Sequence, residues 1–260
     1  MQFTLPLTLM LGALLFSAAP LMSADLMQLQ SGSAQITLVE LYTSEGCSSC
    51  PPAESWLTRL KDSPRLWKDF VPVAFHVDYW DYLGWRDSFA SKEYSERQRA
   101  YASHWRSRSV YTPGFVFNGK EWRGWSSLDE PTRGSVQTAG KLTARSEDGR
   151  RWRLRFEPAA SSPPLAFDFH AALLGSDLIS HVKAGENRGR KLPHDFAVLA
   201  LTEVAAVAES NAFAGVVTLK SALTVSPGRL ALAAWVTPRH SLAPLQALGG
   251  WISTPAPRGH

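Results

Sequence analysis

Ile36-Thr37-Leu38-Val39-Glu40-Leu41-Tyr42, then Thr43-Ser44-Glu45-Gly46, then Cys47-Ser48-Ser49-Cys50-Pro51-Pro52 read in turn as a β-rich strand, a turn and the start of a helix. The helix continues as Ala53-Glu54-Ser55-Trp56-Leu57-Thr58-Arg59-Leu60-Lys61, with Trp56, Leu57 and Leu60 on one face and proline tolerated in the first turn. Asp62, Ser63 and Pro64 stop it, and residues 70–77 (Phe-Val-Pro-Val-Ala-Phe-His-Val) form a second strand that runs into Asp78-Tyr79-Trp80-Asp81-Tyr82. Strand, helix and strand in that order imply a parallel, right-handed unit.

Downstream, Tyr94, Gln98, Tyr101 and Trp105 repeat at helical spacing over 91–105, and Glu93 to Arg97 has the favourable i,i+4 charge order. Tyr111-Thr112-Pro113 leads into Gly114-Phe115-Val116-Phe117, and Asn118-Gly119 is a strong hairpin signal before a partner strand at 121–125. Residues 127–139 are expected to close this part as a helix. Beyond about 140 the pattern changes to strands at 151–156, 165–174, 178–183, 196–204, 212–220 and 230–236, which argues for a β-sandwich. The polar run Gly185-Glu186-Asn187-Arg188-Gly189-Arg190-Lys191 is an insertion between strands. A chain of 260 residues suggests two domains, and the expected boundaries are 34–140 and 141–252, with a tail at 253–260.

With 45% hydrophobic and 19% charged residues the bulk of the chain is foldable, which excludes intrinsic disorder. The net charge of +4 gathers mainly in 141–155, where Arg151, Arg153 and Arg155 alternate with Trp152, Leu154 and Phe156. That is a half-buried strand with a solvated basic face, so nucleic acid is not an expected partner. No phosphate-cradling glycine motif occurs. Residues 1–24 hold no charged side chain, and an apolar run is followed by small residues, the pattern of a secretory signal peptide. Pro6 and Pro20 leave the run short of a membrane span. The mature protein is therefore expected in the periplasm or outside the cell, with no membrane association once the leader is removed, and a membrane anchor is the alternative.

Export bears on Cys47 and Cys50, the only cysteines in the chain. A bridge between residues three apart closes too small a loop to staple a protein of this size, so the pair points to chemistry. At a helix N-terminus Cys47 would gain from unsatisfied backbone N–H groups and the positive end of the macrodipole, favouring the thiolate. It is the expected solvent-reachable nucleophile, with Cys50 shielded behind it as the resolving thiol. Glu40 and Glu45 would oppose the thiolate through like charge. The rival reading is soft-metal binding by Cys47, Cys50, His76 and Asp78, as in copper or zinc delivery without redox turnover. A receptor-type sandwich with no thiol chemistry is a third.

The order of elements around Cys-x-x-Cys resembles the thioredoxin-like superfamily. The wording 39–53, with His76-Val77-Asp78-Tyr79-Trp80-Asp81 and the 185–190 loop with Leu192 and His194, is similar to a family of exported bacterial proteins known as domain of unknown function 1223. The resemblance implies an α/β architecture: a thioredoxin-like N-terminal domain, a mixed sheet with flanking helices, followed by the all-β sandwich-like domain. Export, the sole cysteine pair and its place between strand and helix point to a thiol–disulfide oxidoreductase needing no cofactor beyond a Cys47–Cys50 disulfide, with protein or small thiols or a periplasmic redox protein as partner. The resemblance implies Glu40 as a proton shuttle for Cys50, with an acid at a strand end bonded to a nearby side chain as the alternative, Pro113 as a cis-proline beside the dithiol, and Thr112 as backbone for substrate pairing. Tyr79 and Trp80 would roof a substrate groove. Asn187, Arg188 and His194 read as loop structure rather than chemistry.

Overall fold

The computed structural model describes residues 26–127, 130–131, 138–159, 166–221 and 226–252. The signal peptide expected at 1–24, most of the helix expected at 127–139 and the tail at 253–260 lie outside these residues. The strands and helices are β1 (Met27–Gln30), β2 (Thr37–Thr43), α1 (Pro51–Arg59), β3 (Phe70–His76), α2 (Lys92–His104), β4 (Gly114–Phe117), β5 (Lys120–Trp122), β6 (Gly140–Ser146), β7 (Arg151–Pro158), β8 (Phe167–Ser176), β9 (Leu178–His181), β10 (Lys191–His194), β11 (Ala197–Ala205), β12 (Val207–Glu209), β13 (Ala212–Thr218), β14 (Arg229–Pro238) and β15 (Gln246–Ile252). This is a mixed α/β protein, mostly sheet.

β2 and β3 are fully buried along their length and pair in parallel, joined by α1. Burial on both faces is why they read as continuous apolar runs rather than alternating ones. β4 adds antiparallel to β2 and turns through Asn118 (φ 44°) and Gly119 (φ 81°) into β5, the two positive φ values that an Asn-Gly hairpin turn requires. The second helix starts where Ser91 caps it, its side chain accepting from Glu93 N.

The division expected at 140/141 is crossed by hydrogen bonds. One sheet of eight strands runs β15-β14-β8-β11-β3-β2-β4-β5, and the junction is β11 on β3, where Ala74 N donates to Phe196 O. A second sheet of five strands, β1-β6-β7-β13-β12, lies on the far half of the first. Trp152, Leu154 and Phe156 from it meet Phe167, Phe169, Leu232 and Val236 in one buried cluster. Beyond 141 two sheets pack on each other, and one of them is the continuation of the sheet that carries the cysteines. β7 keeps its basic residues outward and Trp152, Leu154 and Phe156 inward, as its alternation requires.

Arg97 corrects one expected contact. Rather than pairing along the helix with Glu93 it turns into the core against Glu40, where its guanidinium lies over the Phe75, Tyr101 and Trp235 rings and gains cation–π attraction. Gly249 is needed for packing: a Cβ there would collide with the Trp67 ring and press on Val71. Gly249→Ala is expected to cost about 1–3 kcal/mol through overpacking, read as a lower urea midpoint at unchanged slope.

Candidate functional site

The turn after β2 carries the dithiol. Cys47 N bonds to Ser44 O and Cys50 N to Cys47 O, and α1 begins only at Pro51 with Cys50 as its N-cap. Cys47 therefore sits a turn ahead of the helix, not in its first turn. Pro51 and Pro52 lack the N–H groups that were expected to face its sulfur. The thiolate is favoured all the same: the Cys47 pKa is lowered to about 6, chiefly by a hydrogen bond from Cys50, with Ser49 and Thr112 adding to it against the cost of burial. Burial, reinforced by the Cys47 sulfur, holds Cys50 well above the ordinary thiol value. The two thiols are free and unequal.

Cys47 is 1% exposed and Cys50 0%, which corrects the expectation of a solvent-reachable nucleophile. The Cys47 sulfur is 3.3 Å from Ser49 Oγ and 3.8 Å from the Thr112 carbonyl. Ser48 and Ser49, which follow it in the turn, are exposed. The Thr112–Pro113 peptide bond is cis, the isomer the resemblance implied. Beside it a groove of about 330 Å³ is lined by Tyr111, Pro113, Trp122, Arg123 and Trp125.

Tyr79 and Trp80 lie in a 3-10 segment, Asp78–Leu83. Tyr79 sits close enough to Cys47 and Cys50 that both raise its pKa, after burial, the larger cause. Trp80 Nε1 donates to Thr112 Oγ1 at 2.8 Å, and Tyr79 OH to Gln98 Oε1 at 3.0 Å. Both rings border the dithiol, and their polar atoms are engaged within the protein.

Glu40 is not placed as a shuttle for Cys50. Strand residues alternate faces, and Glu40 lies on the α2 side, where Arg97 binds it through two nitrogens at 2.9 and 3.1 Å and the Tyr42 and Tyr101 hydroxyls donate to it. Its oxygens are all occupied far from the sulfurs. The carboxylate linked to Cys50 is Glu54, one turn into α1. The Thr43 hydroxyl lowers the Cys50 pKa by a hydrogen bond and itself donates to Glu54 Oε1 at 2.6 Å.

The soft-metal set is not gathered either. Asp78 is tied to Ser95 Oγ at 2.5 Å, and His76 Nδ1 donates to Asp87 Oδ2 at 2.7 Å. Among the described residues the side chains that do converge are Glu54, His76 and His194. His194 Nδ1 is 2.5 Å from Glu54 Oε2, its Nε2 is 3.1 Å from Glu45 Oε1, and Trp85 Nε1 donates to Glu45 Oε2. Despite burial, the Glu54 and Glu45 carboxylates raise the His194 pKa to about 10.

The structure brings His194 and Asn187, which the sequence reads as loop structure, up against the cysteine turn and its acids. The 185–190 loop folds back over the cysteine turn: Glu186 accepts from Ser48 N at 2.9 Å, and Asn187 Nδ2 donates to both Glu45 O and Cys47 O at 2.9 Å. Asn187→Ala would take this partner from the Glu45 carbonyl and leave Cys47 O with Cys50 N alone. The expected loss of about 1–3 kcal/mol is measurable by denaturant unfolding, and amide exchange over residues 45–48 should rise with it.

A family model described as a protein of unknown function (DUF1223) matches residues 38–237. No curated protein matches the chain. Two solved structures resemble it. One is a protein of Agrobacterium tumefaciens, with 24% identity, a TM-score of 0.56 and coverage of 88% of this chain and 99% of that one. The other is HBP35 of Porphyromonas gingivalis, with 11% identity, a TM-score of 0.59 and coverage of 88% and 80%. At these identities the likeness concerns the fold.

Proposed function

The chain belongs to the DUF1223 family, whose description assigns no activity, and we propose from the site itself that it is an exported thiol–disulfide oxidoreductase working through Cys47 and Cys50. The observation that carries this reading is the inequality of the two thiols three residues apart, one lowered to about 6 and one raised by burial. A structural pair has no need of that difference, whereas exchange requires an attacking thiolate and a protected resolving thiol. The strand order β3-β2-β4-β5 with the cis-proline supports a thioredoxin-like first half. The charge-free leader at 1–24 supports export. Among the described residues no helix is long and apolar enough to cross a membrane.

In the reductive direction the Cys47 thiolate attacks one sulfur of a substrate disulfide, forming a mixed disulfide and releasing the other sulfur as a thiolate. Cys50, its proton taken up by the substrate thiolate freed in the first step, then attacks the Cys47 sulfur and releases the second substrate sulfur as a thiolate. The substrate gains two electrons, and the protein is left with a Cys47–Cys50 disulfide that a partner dithiol must reduce. The oxidative direction is the reverse. The backbone at Thr112, with Tyr79, Trp80 and the groove beside Pro113, would receive the substrate chain. Partners are protein or small thiols, or a redox protein of the same compartment.

Turnover of a model disulfide such as insulin, with dithiothreitol as electron source, tests this. Cys47→Ser is expected to reduce the rate to that of dithiothreitol alone, and an unchanged rate would overturn the reading.

A further inference from the structure

We propose that Glu54, His76 and His194 form a binding site for a divalent transition metal of the zinc class, separate from the dithiol. Their ligand atoms lie within 4.8 Å of one another. They come from α1, the end of β3 and the end of β10, so the complete fold is what assembles them.

The atoms behind the three ligands are already committed. His76 gives Nδ1 to Asp87, His194 gives Nε2 to Glu45, and Glu54 Oε1 accepts from the Thr43 hydroxyl. Two imidazoles each backed by a carboxylate are the arrangement that fixes the tautomer of metal-binding histidines and increases their basicity. The atoms left for the centre are His76 Nε2, His194 Nδ1 and Glu54 Oε2. Without a metal, His194 Nδ1 satisfies itself on Glu54. His76 Nε2 has no such resort: it is buried, and among the described residues no atom bonds to it. A closed ion-pair network accounts for His194 and leaves that nitrogen unexplained, whereas a metal accounts for both.

The charge count agrees. Glu45, Glu54 and Asp87 are all buried around this point, and a divalent ion with two neutral imidazoles offsets two of their three charges. Binding would displace the proton on His194 Nδ1. Two imidazoles and one carboxylate favour zinc or a neighbouring divalent ion over magnesium or calcium, which prefer oxygen, and over copper(I), which prefers sulfur. Three protein ligands leave a coordination position open. A cleft of about 120 Å³ between Pro51, Ser55, Arg190 and Pro193 borders Glu54, one of the three ligands.

The test uses the full chain, stripped with chelator and equilibrated with Zn2+. One zinc per chain is expected to survive desalting, in the native protein and in the Cys47→Ser, Cys50→Ser double variant alike. His76→Ala and His194→Ala should lose it, and Asp87→Asn should bind about 10–100-fold more weakly. Because buried histidine variants can fail to fold, zinc-edge X-ray absorption of the native protein gives a result without them: nitrogen and oxygen neighbours at about 2.0–2.2 Å are expected. A sulfur neighbour at about 2.3 Å, zinc lost with the cysteines, or no zinc held after desalting would overturn the proposal. None of the ligands is a cysteine, so failure of disulfide exchange in Cys47→Ser leaves this site untouched, and loss of zinc leaves the thiol reading untouched.

Discussion

Cys47 is expected to attack a small disulfide with a rate that is half-maximal near pH 6, the value to which its pKa is lowered, rather than near 9, the ordinary value for a thiol. At pH 6 half of Cys47 is thiolate, against about 0.1% of an ordinary thiol, a 500-fold advantage in the reactive form by arithmetic from those two values. Nucleophilicity falls with pKa with a Brønsted slope of about 0.4–0.5, which over three units removes about 16–32-fold. The net expectation at pH 6 is an attack about 15–30-fold faster than by an unperturbed thiol with the same access. Cys47 is 1% exposed, so the observed rate is further scaled by how often the sulfur becomes accessible, while the pH midpoint is not. Stopped-flow reaction with a chromogenic disulfide across pH 4–10, in Cys50→Ala to avoid the second step, separates the two. The Cys50→Ala change also removes the main hydrogen bond that lowers Cys47, so its midpoint should lie above that of the native protein, followed in parallel by alkylation. A native midpoint near 9 would remove the electrostatic basis of the proposed exchange.

The second large effect is on stability. Glu40→Ala strands the Arg97 guanidinium, whose side chain is 9% exposed, without its carboxylate. Breaking a buried pair by removing one partner costs about 3–5 kcal/mol, a large share of a total that for most proteins is about 5–15 kcal/mol. Urea or thermal unfolding should show it directly. Glu40→Leu combined with Arg97→Met should recover much of the loss, since replacing both charges leaves nothing uncompensated. The same variants separate two roles for Glu40. If it served Cys50 as a proton shuttle, exchange would slow in both; with Glu40 turned to α2, the compensated pair is expected to keep the native pH midpoint of Cys47.

The sequence made the local elements legible where the chemistry of neighbours is local. The Asn118-Gly119 turn, the proline start of α1, the helical face of Tyr94, Gln98 and Tyr101, and the alternation of β7 all depend on residues a few positions apart, and all are present. What depended on distant pairing was not legible. Nothing near Glu45 or Glu54 in the chain announces that His194 will stand between them, or that Asp87 will bond to His76. Glu54, four residues after Cys50, was within reach of a helical-spacing argument. Glu40 drew attention instead because it is an acid in the expected central strand, and alternation alone does not say which face of that strand the cysteines will use. β1, β6, β10, β12 and β15 went unread, all of them short or glycine-bearing.

The β3–β11 seam also governs how the molecule comes apart. Phe196, Trp235 and Ala247 from the later half sit in the same buried cluster as Leu41, Trp56 and Phe75 from the earlier one. A gene truncated after codon 140 would bare the flank of β3 and empty that shared interior at once. Such a fragment should be a sticky, incompletely ordered polypeptide rather than a miniature enzyme. The intact chain, conversely, should melt in a single concerted step, with tryptophan emission and backbone ellipticity tracing one curve.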